Sequence, residues 1–399
     1  FTGSFIVNVG ENFSHLLAGH IFIDGHEKSP SGRTLSIIRD DTLLIDTLKE
    51  ANIPVKYLTK RSSFQGSLIF EGESVTQNIS GADWEKESYL RERLNLKEGS
   101  FEAMKNPNAI ILSDEMAKKL NVHIGDSMLV QLTTVTGQQN IGDFVLAAVS
   151  FDPGIFGSIS AYANIEHVNK LLNIEPHEYM TLGIFLPDIK LIDAEAEKYY
   201  KALENKVSLF ERKAATDTES TFMSMINQVK EEDWNGLRYR LYTLNDMLSQ
   251  VKQIVGILNT VGLVILLILL VIIMVGIMNT FRMIMYERIR EIGTMRALGM
   301  QRRGVQNLFL LEALFLSIGG VIVGFIIAGI IMFFLSLINW GLNTPLFILL
   351  KNGHMTFTFI PTQIISNILL IALLTLLAAL FPARKAARLE PADALRSYH

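Results

Sequence analysis

The 399-residue chain has no cysteine. Disulfides and thiolate metal sites are therefore excluded. It also has no Gly-Lys dipeptide, so the phosphate-binding loop G-x-x-x-x-G-K-[ST] of an ATPase cannot be built on it. The metalloprotease pattern H-E-x-x-H and the hydrolase elbow G-x-S-x-G are missing too. His15, His20 and His26 stand five and six residues apart across a change from helical to strand-like pattern. That spacing suits solvated surface histidines better than a metal site, and no metal is expected. The carboxylates of Glu85–Glu102 read as a solvated face. No catalytic residues are expected.

Charge is scarce in one half only. Residues 1–250 hold 24 Lys and Arg against 35 Asp and Glu; residues 251–399 hold 12 against 5. An acidic soluble half joined to a basic apolar half fits a membrane protein with a large domain outside the bilayer. It speaks against nucleic acid as a partner of the acidic half.

The apolar half contains three runs able to span a bilayer: Gln253–Phe281, a stretch within Val305–Asn339, and Thr362–Phe381. Six arginines and two glutamates lie in 282–303, and Arg384, Lys385, Arg388 and Arg396 follow the last run. Loop 340–361 has Lys351 as its sole formal charge. The positive-inside rule places 282–303 and the C-terminus in the cytoplasm, with 1–242 and 340–361 outside. Trp340, Tyr239 and Tyr242 are expected in an outer aromatic belt. The chain opens at Phe1 with no export signal, so a fourth span is expected ahead of it.

Ahead of the first run, Thr243 and Asp246 form a capping-box pattern. Leu244, Met247, Leu248, Val251, Ile254 and Leu258 then repeat at helical spacing. One helix from Thr243 to Phe281 would measure roughly 58 Å at 1.5 Å per residue. The hydrocarbon core needs about 30 Å of that, which leaves a stalk outside the membrane. Met247, Val251, Ile254 and Leu258 fall on one stripe of it and are the candidate lining of a lipid-binding cleft; packing on a further span explains the stripe equally well. Gly320, Gly324 and Ala328, at i, i+4 and i+8, are candidate helix-packing positions. Glu312 is expected as an interfacial carboxylate that snorkels or pairs with arginine.

Residues 1–242 read as an α+β domain of two lobes, with one lobe inserted within 72–165. Expected strands include Gly19–Asp24, Pro54–Lys60, Ala109–Leu112 and Ser127–Leu132. Ser113 is expected to cap a helix over Asp114–Leu120.

The segment Met278–Gly299, with Tyr286-Glu287-Arg288-Ile289-Arg290-Glu291-Ile292-Gly293 at its centre, resembles the FtsX-like permease family of ABC transporters. So do Leu308–Ala313 and the tail Phe381–Arg396. The resemblance implies a bacterial inner-membrane, multi-pass subunit with four spans, working beside a second permease subunit as a homo- or heterodimer. ATP and Mg would bind a separate cytoplasmic ATPase, and this chain would hold no cofactor. That ATPase would dock on a coupling helix carrying Glu287, Arg288, Arg290, Glu291, Ile292, Met295 and Arg296, within the stretch 282–303. The size of the external domain suits LolC/LolE-like lipoprotein releasers, with a periplasmic chaperone as partner, or MacB-like exporters with an adaptor. A third possibility is an FtsX-like signal relay to an external enzyme. The hairpin Thr133–Gly142 lacks the proline of the LolC-type chaperone-docking hairpin.

Overall fold

A computed structural model describes residues 10, 13–29, 32–151, 161–212, 221–340, 354–355, 357 and 361–388. The chain divides near Gln253 into a β-rich unit and a helical unit.

The β-rich unit is organised by its longest strand. Strand β1 is Ile21–Lys28, β2 is Thr34–Ser36, helix α1 is Thr42–Glu50, and β3 is Tyr57–Phe70. The strand expected at Pro54–Lys60 is thus the start of one 14-residue strand. Its first five residues pair with β10 (Thr181–Phe185). From Ser62 onward it pairs with β4 (Glu73–Ala82), and over Gly66–Ile69 also with β7 (Ser127–Thr133). The change of partner at Arg61–Ser62 carries the chain from one lobe to the other.

The first lobe adds β11 (Gly236–Thr243) and α5 (Ile192–Glu204), which follows α2 (Ser88–Arg93), α3 (Asp114–Leu120) and α4 (Ile165–Leu172) in chain order. Ile21, Ile23, Leu44, Tyr179, Ile184 and Tyr199 fill its core. The second lobe adds β5 (Leu96–Gly99), β6 (Ala109–Ser113), β8 (Gln139–Ser150) and β9 (Ala161–Asn164), with α3 and α4 packed on them. Leu68, Ile110, Val130, Phe144 and Val168 form its core. β7 alternates strictly, with Met128, Val130 and Leu132 inward, the period-2 pattern of a half-buried strand. β6 is buried at all five positions and lies between β8 and β9. The Ser113 hydroxyl accepts a hydrogen bond from the Met116 amide at 3.3 Å, capping α3 as expected.

Two expectations fail in this unit. The carboxylates of Glu85–Glu102 are not all solvated: Glu85, Glu92, Glu98 and Glu102 are exposed, but Glu87 is buried against Arg61. Tyr239 and Tyr242 do not join an aromatic belt. They lie on β11, where Tyr239 enters the first core and Tyr242 stacks on Phe22 with ring centroids 5.2 Å apart. α6 (Thr221–Glu231) precedes β11.

The helix from Thr243 is interrupted. α7 covers Leu244–Met247, Leu248 leaves helical geometry, and α8 runs from Ser249 to Glu287, six residues past Phe281. The capping box is present: the Thr243 amide donates to Asp246 Oδ2 at 2.8 Å, and the Asp246 amide donates to Thr243 Oγ1 at 3.1 Å. Leu244 and Leu248 are buried in the first core, and that packing holds the short turn apart from α8.

In the helical unit α8 is followed by α9 (Ile289–Ala297), α10 (Arg302–Leu337) and α11 (Pro361–Ala387). Among the described residues three stretches are long and apolar enough to cross a membrane: Gly256–Glu287, Arg302–Leu337 and Ile364–Ala387. Residues 256–281, 313–337 and 364–383 of them carry no charged side chain, as a lipid-facing helix requires. Loop residues 341–353 and the tail beyond Arg388 lie outside the described residues.

Candidate functional site

The segment between α8 and α10 is built by two local devices. Arg288 is the non-helical residue at which α8 gives way to α9. At the other end Gly299 takes φ +99°, a left-handed conformation that glycine adopts without strain. The Gly299 amide donates to the Arg296 carbonyl at 3.1 Å and the Met300 amide to the Met295 carbonyl at 3.0 Å. This paired closure ends α9 and turns the chain into α10.

The apolar face of α9 is turned inward. Ile292 is 1 % exposed and packs with Met285, Val305, Phe309, Ala383 and Ala386; Met295 is half-buried beside them. This chain's own helices therefore cover the apolar face of α9. What remains outward is polar: Glu287, Arg290 and Glu291 are exposed, flanked by Tyr286 and Leu298, the latter 89 % exposed. Arg288 and Arg296 are engaged. Arg288 Nη1 lies 3.2 Å from Glu312 Oε1 and 3.4 Å from Oε2. Arg296 Nη1 donates to the Ala387 carbonyl at 2.8 Å. The seven coupling residues therefore separate into an outward set (Glu287, Arg290, Glu291), a buried or half-buried set (Ile292, Met295) and a tethered set (Arg288, Arg296). The arginine pairing expected for Glu312 is present.

The candidate cleft stripe is not one helical stripe. Met247 sits on α7 and packs against the first core, while Leu258 is on α8 and 62 % exposed. The side chains of Val251 and Ile254 lie outside the described residues. Gly320 and Gly324 line a groove of about 1060 Å³ between α8, α10 and α11, together with Ile277, Phe281 and Ile368. A Cβ built at either glycine meets nothing within 4 Å; Ala328 is half-buried. Among the described residues these small positions adjoin open space.

The β-rich unit offers less chemistry than its charges promise. His20 Nδ1 accepts from the Leu186 amide at 3.0 Å, and burial followed by the charge of Lys56 lowers its pKa to about 4. His26 is 5 % exposed, and burial lowers its pKa to about 4 against the raising effect of Asp24. The His15 ring stacks on Phe185, with centroids 5.8 Å apart. These are packed rather than solvated histidines. Among the described residues no group of three or more His, Asp or Glu could hold a metal. The tip of the β7–β8 hairpin is held by Arg33, whose Nη1 donates to the Thr136 carbonyl at 2.9 Å. A cavity of about 580 Å³ lined by Trp84, Phe101 and Met104 in the second lobe was not foreseen.

Residues 263–391 match the model of the FtsX-like permease C-terminal family. The apolar half carries an FtsX-like permease domain. This chain is 24 % identical over 298 residues to the lipoprotein-releasing system transmembrane protein LolC of Haemophilus influenzae, covering 72 % of this chain and 64 % of that one. It is 31 % identical over 123 residues to the macrolide export ATP-binding/permease protein MacB of Chlorobaculum tepidum, covering 30 % of this chain and 16 % of that one. It is 29 % identical over 129 residues to the ABC transporter permease YtrF of Bacillus subtilis, covering 31 % and 28 %. The matched stretches thus span less than two thirds of each of these relatives. Among solved structures, the periplasmic region of MacB from Actinobacillus actinomycetemcomitans covers 58 % of this chain at 12 % identity and a TM-score of 0.32. At that score the likeness carries no further weight.

Sequence reasoning missed the alanine face of α11. Ala379, Ala383 and Ala387 recur at i, i+4 and i+8, a small-residue stripe as legible as Gly320–Ala328.

Proposed function

We propose that this chain is one of two permease subunits of an ATP-driven ABC transporter. A separate cytoplasmic ATPase, which binds ATP and Mg, acts on the exposed face of α9. The observation that carries this is the division of labour on that segment. Its apolar face is consumed by this chain, while Glu287, Arg290 and Glu291 stand free of it on an FtsX-like domain. Charged, exposed groups suit a partner that must bind with defined register. The lack of any Gly-Lys dipeptide supports hydrolysis on another subunit. Changing Glu287→Lys together with Glu291→Lys should release the ATPase in affinity recovery, or leave it bound with hydrolysis uncoupled, while both units stay folded. Normal recovery with normal coupled turnover would refute the docking role.

The substrate class we favour is lipoproteins drawn from the outer leaflet of a bacterial inner membrane. The LolC match extends over 72 % of the chain, well into the β-rich unit, whereas the MacB match covers 30 %. Export with an adaptor is the alternative. In vesicles holding the complete complex, ATP should release a lipidated protein into solution. Export of a soluble compound without lipoprotein release would favour the alternative.

The orientation we favour has α9 and Arg384–Arg388 inside and the β-rich unit outside, because arginines concentrate at the former. An impermeant thiol reagent applied to intact cells should label Leu129→Cys and spare Gln301→Cys. The reverse pattern would overturn it.

A further inference from the structure

Helix α9 is fastened at its two ends to two different spans. At its start Arg288 reaches Glu312 on α10; at its end Arg296 reaches the Ala387 carbonyl on α11. The second contact is chemically apt. Ala387 is the last residue of α11, where backbone carbonyls have no intrahelical donor and the helix dipole is negative. A guanidinium there supplies both a donor and a positive charge. Between the two tethers, Ile292 fits between Phe309 of α10 and Ala383 of α11. Both spans present one face to this contact. Val305, Phe309, Glu312 and Ala313 fall at i, i+4, i+7 and i+8 of α10; Ala379, Ala383, Ala386 and Ala387 show the same spacing on α11. Alanine lets the helices approach closely.

We propose that α9 is a yoke, in which Arg288 and Arg296 are positioning residues that make α9, α10 and α11 move as one body. This rests on the reading above that a partner pushes on α9, and it specifies where the push goes: into the last two spans together, not into α9 alone. A loose surface helix would dissipate the same push in its own displacement. The tethers differ in kind. The Arg288–Glu312 pair is half-exposed and takes part as one of two fasteners. The Arg296 contact is part-buried and closes the end of a span.

This chain has no cysteine, so with cysteine-free partner subunits the two introduced thiols carry its only spin labels. Labels at Leu298→Cys, beside the end of α9, and Leu369→Cys, on α11, report the distance across the yoke; both native side chains are exposed. In the full-length complex in bilayer discs, wild type should give one narrow distance peak, at the same position with and without ATP. Combining Arg288→Gln with Arg296→Gln should broaden that peak and make it shift with ATP, while complex recovery stays normal. Exchanging the charges, Arg288→Glu with Glu312→Arg, in the presence of native Arg296, should restore the narrow peak lost in Arg288→Gln. A wild-type peak that moves with ATP, or a double variant with unchanged width, would overturn the yoke. If no ATPase joins the complex, the proposed function fails, and the width comparison without nucleotide still decides the yoke.

Discussion

Gly183 and Gly25 of the β-rich unit and Gly276, Gly320 and Gly324 of the helical unit meet opposite surroundings. A Cβ added at Gly183 would lie 2.0 Å from the Ala18 carbonyl oxygen and 2.2 Å from Thr59 Oγ1. At Gly25 it would lie 2.2 Å from the Ile37 carbonyl oxygen. At Gly276, Gly320 and Gly324 it would meet nothing within 4 Å. The charges divide in the same way. The β-rich unit buries Arg61 against Glu87, with 7 % and 3 % of the side chains exposed, and binds Asp24 to Arg240 at 2.6 Å. Among the described residues of the helical unit, the ion pair is Arg288–Glu312, half-exposed. The β-rich unit thus pairs these buried charges internally. The helical unit leaves apolar faces and small-residue grooves that lipid or other helices must cover. One unit owes its structure to internal closure, the other to its solvent.

The largest expected effect tests that closure. Arg61 donates to Glu87 and to Ser80 Oγ, and the Tyr89 hydroxyl donates to Glu87 Oε2 at 2.6 Å. Glu87→Gln leaves a buried guanidinium uncompensated and should cost about 3–5 kcal/mol. Chemical denaturation of the intact chain in detergent, followed by amide exchange in each unit, should show the loss in the β-rich unit alone. Equal loss in both units would erase the contrast.

The glycine comparison comes next. Gly183→Ala should destabilise the β-rich unit by about 1–3 kcal/mol through overpacking. Gly324→Ala should leave the folding of this chain unchanged. If Gly324→Ala nonetheless weakens recovery of the complex, the groove is filled by something beyond the described helices, and the comparison sharpens.

The smallest effect is on pH. His20 and His26 both have folded-state pKa values near 4, below the ordinary 6.5. Protonating His20 at Nδ1 would break its bond from the Leu186 amide. Between these values the unfolded chain binds more protons, so stability is full above about pH 6.5 and falls as pH drops toward 4. With partial exposure screening the effect, the loss at pH 5 should be on the order of 1 kcal/mol per histidine. The described residues of the helical unit contain no histidine. Thermal melts at pH 7 and pH 5 should move the β-rich transition and spare the helical one; a shift confined to the helical transition would contradict this.

Local pattern was a good guide where neighbours in sequence are neighbours in space. The three spans, the Ser113 cap, the Thr243–Asp246 box and the alternation of β7 are all set within a few residues. Each rests on a period or on a hydrogen bond between near positions. The Arg288–Glu312 pairing was half-legible, because a carboxylate near the end of a span calls for an arginine and α9 is rich in them.

Tertiary structure decided the rest, because the partners are far apart in sequence. Periodicity says that α9 has an apolar face; it cannot say that Phe309 and Ala383 cover that face. Tyrosines ahead of an apolar run suit an interfacial belt by composition, but pairing of β11 with β1, more than 200 residues earlier, draws Tyr239 and Tyr242 into the first lobe. Likewise Glu87 belongs to a run of carboxylates that reads as solvated, but Arg61 of β3 draws it into the interior. The helix at Thr243 ends after one turn because Leu244 and Leu248 find a core, although their spacing is that of one longer helix. Sequence determined which segments are apolar and how each begins. Only the fold determined which surface each apolar side chain meets, since burial energy is indifferent to which partner supplies it.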